Sequence, residues 1–347
     1  MFKVNFRNVT DGVWYMSDVV HTKGPFIDLH AHLDGSITAD IARKLADVQN
    51  IDIPWDDTQL VDMLSVPESC ESLNDFLKCF EFPLTLLQTK RGISEAVYLV
   101  LESMEKAGTV YAEIRFAPAL HTREGLTQEE VIEAALEGLN RAHIFSNLIL
   151  CCMRGQGNED DNRLTVELAR KFLVRNRGVV AVDLAGAEAL YPTDSYRQLF
   201  AMVKEYGIPF TIHAGEAAGP ESVKAAIEMG TVRIGHGVRA VYDNNILNLI
   251  KEKGIVLEMC PTSNRQTRAV EDMSKYPLVK YLDMGIKVTV NTDDCAIERT
   301  DISREFEYIR SAYGITRQQE DTLYYNAVDG AFTDEETKNK LRKLILQ

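Results

Sequence analysis

Four short segments hold most of the groups that could do chemistry: Asp28-Leu29-His30-Ala31-His32, His213-Ala214-Gly215-Glu216, Gly235-His236-Gly237 and Asn291-Thr292-Asp293-Asp294. Five of the seven histidines lie in or beside them, counting His21 just upstream. Zinc takes imidazole nitrogen and carboxylate oxygen, and a catalytic zinc keeps one position open for water. Three histidines and one aspartate suffice to hold such an ion. A glutamate, a further histidine and a further aspartate then remain to move protons. The combination points to hydrolysis assisted by a mononuclear metal centre.

Each segment also has a plainer reading. His30 and His32 point the same way in an extended chain, but an H-x-H pair also suits a solvated turn. Glu216 can carry a proton if a partly dry site raises its pKa. It can equally sit at a helix N-terminus, because Ala217-Ala218-Gly219-Pro220 starts a helix. The glycines flanking His236 give room for a substrate or serve a tight turn. Asp293 and Asp294 fit a metal site or the cap of a following helix. The plain readings jointly require four coincidences at one end of the same fold, so the metal site is favoured.

These segments must be positioned by something. Short apolar runs alternate with helical patterns along the chain. The expected strands are Phe26–His30, Val110–Phe116, Asn147–Met153, Val179–Leu184, Phe210–His213, Val232–His236, Ile255–Met259 and Ile286–Asn291. Helical spacing covers Glu129–Ile144, Arg163–Arg175, Ser195–Tyr206 and Glu221–Met229. The strands read as apolar throughout, as expected when both faces are covered. Eight strands, each followed by helix, predict a (β/α)₈ TIM barrel, whose sites lie at the C-terminal ends of its strands. The four segments end the first, fifth, sixth and eighth strands, so they converge on one mouth. Thr38 to Leu87 is too long for one helix and is read as a helical cover over that mouth. Helices after Asn291, ending with Glu335–Leu346, are read as closing the barrel.

With 347 residues, 45% of them apolar, the chain can bury one large core or two modest domains, and the barrel reading favours one domain over residues 1–347. A formal charge of −14 argues against nucleic acid as a partner. No apolar run spans a membrane, and Met1 to Met16 lacks the apolar stretch of a secretory signal. The cysteines, Cys70, Cys79, Cys151, Cys152, Cys260 and Cys295, form no C-x-x-C pair, which predicts a reduced cytoplasmic protein.

From about Ile27 to Asp294 the chain resembles the adenosine deaminase family, zinc-dependent purine nucleoside deaminases of the amidohydrolase superfamily. The likeness rests on Asp28-Leu29-His30-Ala31-His32-Leu33-Asp34-Gly35-Ser36, Phe116-Ala117-Pro118, Asp183-Leu184-Ala185-Gly186, His213-Ala214-Gly215-Glu216, Ile234-Gly235-His236-Gly237 and Asn291-Thr292-Asp293-Asp294. It implies one Zn²⁺ per chain, held by His30, His32, His213 and Asp293. It implies Glu216 as proton donor to purine N1, with His236 and Asp294 orienting and deprotonating water. Gly186 would offer its N–H to N3, and Asp34 would meet the ribose hydroxyl, with His32 beside it on the substrate side. Leu73, Phe76, Leu77 and Phe80 look like the family's apolar lid, although their helical spacing alone suits a core stripe. The implied reaction converts adenosine and 2′-deoxyadenosine to inosine and 2′-deoxyinosine, releasing ammonia. AMP is expected to be poor, because its phosphate would face Asp34. Binuclear relatives bridge two metals through a lysine at the fourth strand end, where this chain has Asp183-Leu184-Ala185-Gly186. Cys295 and Ala187 depart from the pattern of many relatives and bear on fine specificity.

Overall fold

A computed structural model describes residues 24–67, 70 and 73–345. His21, the Met1–Met16 stretch and Leu346 lie outside the described residues. Eight parallel strands alternate with helices: β1 (Phe26–His32), β2 (Thr109–Phe116), β3 (Phe145–Met153), β4 (Val179–Ala185), β5 (Thr211–Ala214), β6 (Arg233–His236), β7 (Val256–Met259) and β8 (Lys287–Val290). Strands β1 to β4 pair in order, as do β5 to β8. The halves meet through Val182 and Phe210 on one side and through Ala31 and Asp293 on the other. At the second seam His32 N–H donates to Asp293 O and Asp293 N–H donates to His30 O, both at 2.8 Å. This is the expected (β/α)₈ barrel.

The intervening helices follow their local signals. Helix Gln128–Arg141 starts at Thr127, whose hydroxyl accepts from Glu130 N–H while the Glu130 carboxylate accepts from Thr127 N–H. Helix Pro220–Met229 begins with proline, whose missing N–H costs nothing there. The expected helix Ser195–Tyr206 is split: Thr193–Tyr196 is a 3₁₀ turn and Arg197–Glu205 is the helix. Between β1 and β2 lie Ala39–Gln49, Asp57–Met63, Leu73–Phe76, a 3₁₀ turn Leu77–Phe80 and Glu81–Thr85, the expected cover. After β8 come Ile302–Tyr313, Arg317–Gly330 and Glu335–Leu344. Tyr324, Val328 and Leu341 from the last two pack with Ile27, Leu29 and Tyr111 of β1 and β2.

One expectation needs correction. The strands are buried on both faces, but they are not apolar throughout. Outward residues such as Ile114, Leu148, Val182 and Leu257 join the aliphatic shell beneath the helices. Charged residues fill the interior instead: Glu113 and Arg115 on β2, Asp183 on β4, Arg233 on β6 and Glu258 on β7, all fully or almost fully buried. They stand there because each finds an opposite charge. Arg115 lies 2.9 Å from Asp183 and 2.8 Å from Glu258, and Arg233 Nε lies 2.6 Å from Glu258. Burying any one unpaired would be strongly destabilising.

Candidate active site

The interior charges support the groups at the barrel mouth. His30, extended on β1, places Nδ1 2.7 Å from Glu258 Oε2. Glu258 also accepts from Arg115 Nη2 at 2.8 Å, Thr211 Oγ1 at 2.8 Å and Arg233 Nε at 2.6 Å. Burial alone would push this carboxyl up, yet Arg115 and Arg233 hold it well below the usual range. A permanent carboxylate therefore fixes the His30 Nδ1 proton, and Nε2 keeps its lone pair. That Nε2 atom is buried with no hydrogen-bond partner. Burial and Arg115 pull the His30 pKa down, but Asp293 and Glu258 outweigh them and raise it, so the surrounding carboxylates favour positive charge at this place.

His213, on β5, is oriented in the same way. Its Nδ1 lies 2.9 Å from Asp183 Oδ2, at an angle too bent for a good hydrogen bond. Asp183 is buried, but His213 and Arg115 hold it below the usual carboxylate range. His32 Nε2 lies 3.2 Å from His213 Nε2 and 3.4 Å from Asp293 Oδ1, and His30 Nε2 lies 3.2 Å from the same oxygen. Burial pushes His32 well below its ordinary pKa, so its ring is neutral. Two Nε2 atoms at this distance either share one ring proton or turn their lone pairs on a common cation. With Zn–ligand bonds of roughly 2.0–2.1 Å, a tetrahedral site has edges of roughly 3.3–3.4 Å. The donor set therefore fits a zinc-sized dication.

The plain readings of the other residues do not hold. Glu216 lies outside helix Pro220–Met229, whose N-cap is Gly219. Burial, and then the carboxylates of Asp293 and Glu188, pushes Glu216 up to about 8. Asp293 and Asp294 cap nothing: the next helix begins at Ile302 with Asp301 as its cap. Nor does Asp34 cap the helix at Ala39, where Thr38 serves. Asp34 is buried in the cavity wall and raised by burial to about 6. Asp294 Oδ1 is buried without a partner. A Cβ on Gly35 would fall 1.8 Å from that oxygen, so only glycine leaves Asp294 its place.

His236 Nε2 lies 3.5 Å from Glu216 and 3.7 Å from Asp293. Its Nδ1 is 3.0 Å from Asn264 Nδ2, and Asn264 Oδ1 accepts from Tyr276 Oη at 3.0 Å. The tyrosine thus fixes the amide so that its N–H₂ donates to Nδ1, and the ring proton sits on Nε2. Asp293 and His236 both have positive φ, +60° and +61°. Strained backbone of this kind persists where the surroundings over-determine it, typically at functional sites.

These groups bound a cavity of about 220 Å³. Its wall includes His32, Asp34, Gly186, His213, Glu216, His236, Asp293 and Asp294, with Leu73, Phe76, Leu77 and Phe80 on the opposite side. A wider outer depression of about 720 Å³ meets it at Leu73, Glu216 and Thr267. His30 lies beneath the cavity floor. Cys295 and Ala187, the two departures, do not line the cavity. Among the described residues, ligand atoms of His30, His213, His236 and Asp293 all lie within 4.8 Å of one another, a set that takes His236 in place of the expected His32. The sequence reading gave no role to Asp183, Glu258, Arg115, Asn264 or Glu188, which orient the rest.

With this geometry in place, comparison with known proteins is informative. The adenosine deaminase family signature matches residues 25–347. An adenosine deaminase of Haemophilus ducreyi is 42% identical over 328 residues, covering 92% of this chain and 95% of that protein. Among solved structures, an adenine deaminase from Arthrobacter aurescens superposes with a TM-score of 0.82 at 23% identity, covering 93% of this chain and 98% of that one. An amidohydrolase from Burkholderia ambifaria with bound Zn does so with a TM-score of 0.81 at 23% identity, covering 92% and 88% of the two chains. The two structural likenesses establish the barrel fold.

Proposed function

The chain belongs to the adenosine deaminase family, and from that premise we propose how its residues divide the work. Its activity is hydrolytic deamination of adenosine, cleavage of a C–N bond in a cyclic amidine. In our reading one divalent metal ion, zinc, is held by His30, His32, His213 and Asp293. Zinc in the Burkholderia ambifaria neighbour supports the metal's identity. The observation that carries the ligand set is the locking of the His30 ring: Glu258 holds its Nδ1 and leaves Nε2 free, while Asp183 lies 2.9 Å from Nδ1 of His213. His236 is the reverse case. Asn264 occupies its Nδ1, so Nε2 bears hydrogen and cannot ligate while the ring is neutral.

The metal, when bound, makes water acidic enough to supply a nucleophile near neutral pH. The water oxygen adds to purine C6, and Asp294 accepts its proton on the free Oδ1. His236 Nε2–H orients the same oxygen. Addition breaks the ring's aromaticity, so N1 must gain a proton, which Glu216 donates. Its raised pKa keeps that proton available at neutral pH. Gly186 N–H meets N3, and Leu73, Phe76, Leu77 and Phe80 cover the base. Asp294 passes the proton it accepted to the amino nitrogen, the C6 hydroxyl gives up its own proton to restore Glu216, and the C6–N bond breaks as C6=O forms, so ammonia leaves.

Asp34 accepts from the ribose hydroxyl, which favours adenosine and 2′-deoxyadenosine over AMP. A 5′-phosphate there would set roughly two negative charges against a carboxylate. At about 4 Å and an effective dielectric near 20, each unit-charge pair costs on the order of 4 kcal/mol before screening. This reading also takes the chain as one domain and as cytoplasmic, with its six cysteines free. Among the described residues no helix is long and apolar enough to cross a membrane. The test is turnover of adenosine, 2′-deoxyadenosine, adenine and AMP by purified protein, followed by loss of adenine absorbance. Adenosine should lead. AMP rivalling adenosine would refute the nucleoside assignment, and an unchanged kcat/KM in Asp34→Asn would remove Asp34 from the ribose.

A further inference from the structure

Glu188 is buried on the loop after β4, 1% exposed, and has no part in the chemistry above. Its carboxylate accepts four consecutive backbone N–H groups from the loop after β5: Gly215 at 2.7 Å, Glu216 at 3.0 Å, Ala217 at 2.7 Å and Ala218 at 3.0 Å. Ser222 Oγ donates a fifth bond. Successive N–H groups converging in this way form an anion-binding nest. Here a side chain of the same protein fills it. Gly215 takes φ +74°, and a Cβ there would meet Val223 Cγ2 at 2.6 Å, so the loop is shaped around the carboxylate.

What the nest holds is specific. Glu216 lies within the run of four clamped amides. Glu188 is two residues beyond Gly186, on the same loop. The carboxylate therefore ties the segment that meets purine N3 to the segment that meets N1. N1 and N3 belong to one rigid ring, so their two partners must keep a fixed separation. The network continues to the backbone of His213. Ser222 Oγ is 2.6 Å from Thr193 Oγ1, Arg154 Nη2 donates to Thr193 Oγ1 at 2.9 Å, and the same nitrogen donates to His213 O at 2.6 Å.

We propose that Glu188 is a positioning residue for deamination: its carboxylate staples the Glu216 loop to the Gly186 loop and so sets the proton donor at N1 against the base held at N3. This rests on the assignment of Glu216 and Gly186 above. Only a carboxylate suits the place. A glutamine offers a single acceptor oxygen, and its N–H₂ would face the nest's own N–H groups.

The test is a double-mutant cycle between Glu188→Gln and Glu216→Gln, read as kcat and KM for adenosine in protein with its zinc content measured. Misplacing a proton donor by about 1 Å can cost roughly 10²-fold, so Glu188→Gln should lower kcat by about that factor and raise KM by only about threefold. In the Glu216→Gln background the same substitution should change kcat by less than about threefold, because the residue it positions is gone. Equal losses in both backgrounds would show a merely structural role and overturn the proposal, as would wild-type kcat in zinc-replete Glu188→Gln. If Glu188→Gln does not fold, Ser222→Ala runs the same cycle by removing one of the five bonds. A several-fold loss confined to the Glu216 background supports the proposal, and equal losses or no loss overturn it. Near-normal turnover in Glu216→Gln alone would instead overturn the proton-donor assignment beneath it.

Discussion

The floor and the roof of the catalytic cavity are built by opposite means. On the floor, His30 and His213 each rest on a buried carboxylate, and Glu258 and Asp183 in turn share Arg115. Asp28 ties β1 to the chain after β8 by accepting from Thr292 Oγ1 at 2.6 Å. The His30 and His213 rings are backed from below by charges that cannot be left unpaired. The roof is packed through apolar side chains. Phe76, with Leu73, Cys79 and Phe80 packed around it, joins Cys70 and Ile297 in a small cluster separate from the main core. Its supports are short helices, Leu73–Phe76 and the turn Leu77–Phe80. A segment with few long-range contacts opens at lower cost than a core strand. On the proposed function the contrast is a division of labour: the floor would fix reacting atoms, whereas the roof would exclude water and cover the base.

Substitutions should separate the two by what they change. Asp293→Ala removes a carboxylate from the floor's focus. Metal should be lost and turnover should fall by more than the roughly 10²–10⁴-fold expected for one proton-moving group. Metal analysis of the purified variant checks this, and full zinc retention would remove Asp293 from the ligand set. One step further from the cavity, Glu258→Gln leaves Arg115 and Arg233 short of a counter-charge and loosens His30. Metal affinity should fall about 10–100-fold, as for other lost partners of metal ligands. Competition with a chelator measures it, and unchanged affinity would show that His30 needs no such support. On the roof, Phe76→Ala removes a buried ring. KM for adenosine should rise by roughly 10- to 150-fold, matching the roughly 1.5–3 kcal/mol expected for a side chain of this size, with kcat nearly constant. A large fall in kcat with KM unchanged would erase the distinction.

The smallest effect concerns a buried carboxylate outside the floor network. Glu305 accepts from Thr262 N–H and Thr300 Oγ1 and makes no ion pair, and burial pushes it up to about 7. The fold thus favours its protonated form. The unfolded chain ionises it near 4.5, so stability is lost as pH rises from about 4.5 to 7, by on the order of 3 kcal/mol at most. Glu305→Gln should flatten Tm against pH over that range. Identical pH slopes in the two proteins would count against it.

Much of the floor was legible because its histidines and aspartates cluster in segments that end strands. Its supports were not. Glu258 stands alone in Val256–Met259, Arg233 opens Arg233–His236, and Glu113 and Arg115 interrupt a run that otherwise reads as apolar strand. A signal was present: an isolated charge inside a buried strand is rare unless paired, and period-two alternation would have aimed these residues into the barrel. Asn264 and Glu188 come from loops, where spacing says nothing about direction. The roof was ambiguous for another reason. Helical spacing of Leu73, Phe76, Leu77 and Phe80 is the same in a lid and in a core stripe, and only the position above the cavity tells them apart.

The division between holding the metal and moving protons is tested most directly at Glu216, which lies beside the donor set and outside it. The measurement is zinc content together with kcat for adenosine in Glu216→Gln. Glutamine keeps the shape but has no proton to give to N1. Zinc content should match that of the wild type, one equivalent per chain on the proposed function, while kcat falls by roughly 10²–10⁴-fold. Loss of zinc along with activity would make Glu216 a metal ligand, and near-normal turnover in zinc-replete protein would mean that N1 receives its proton from elsewhere.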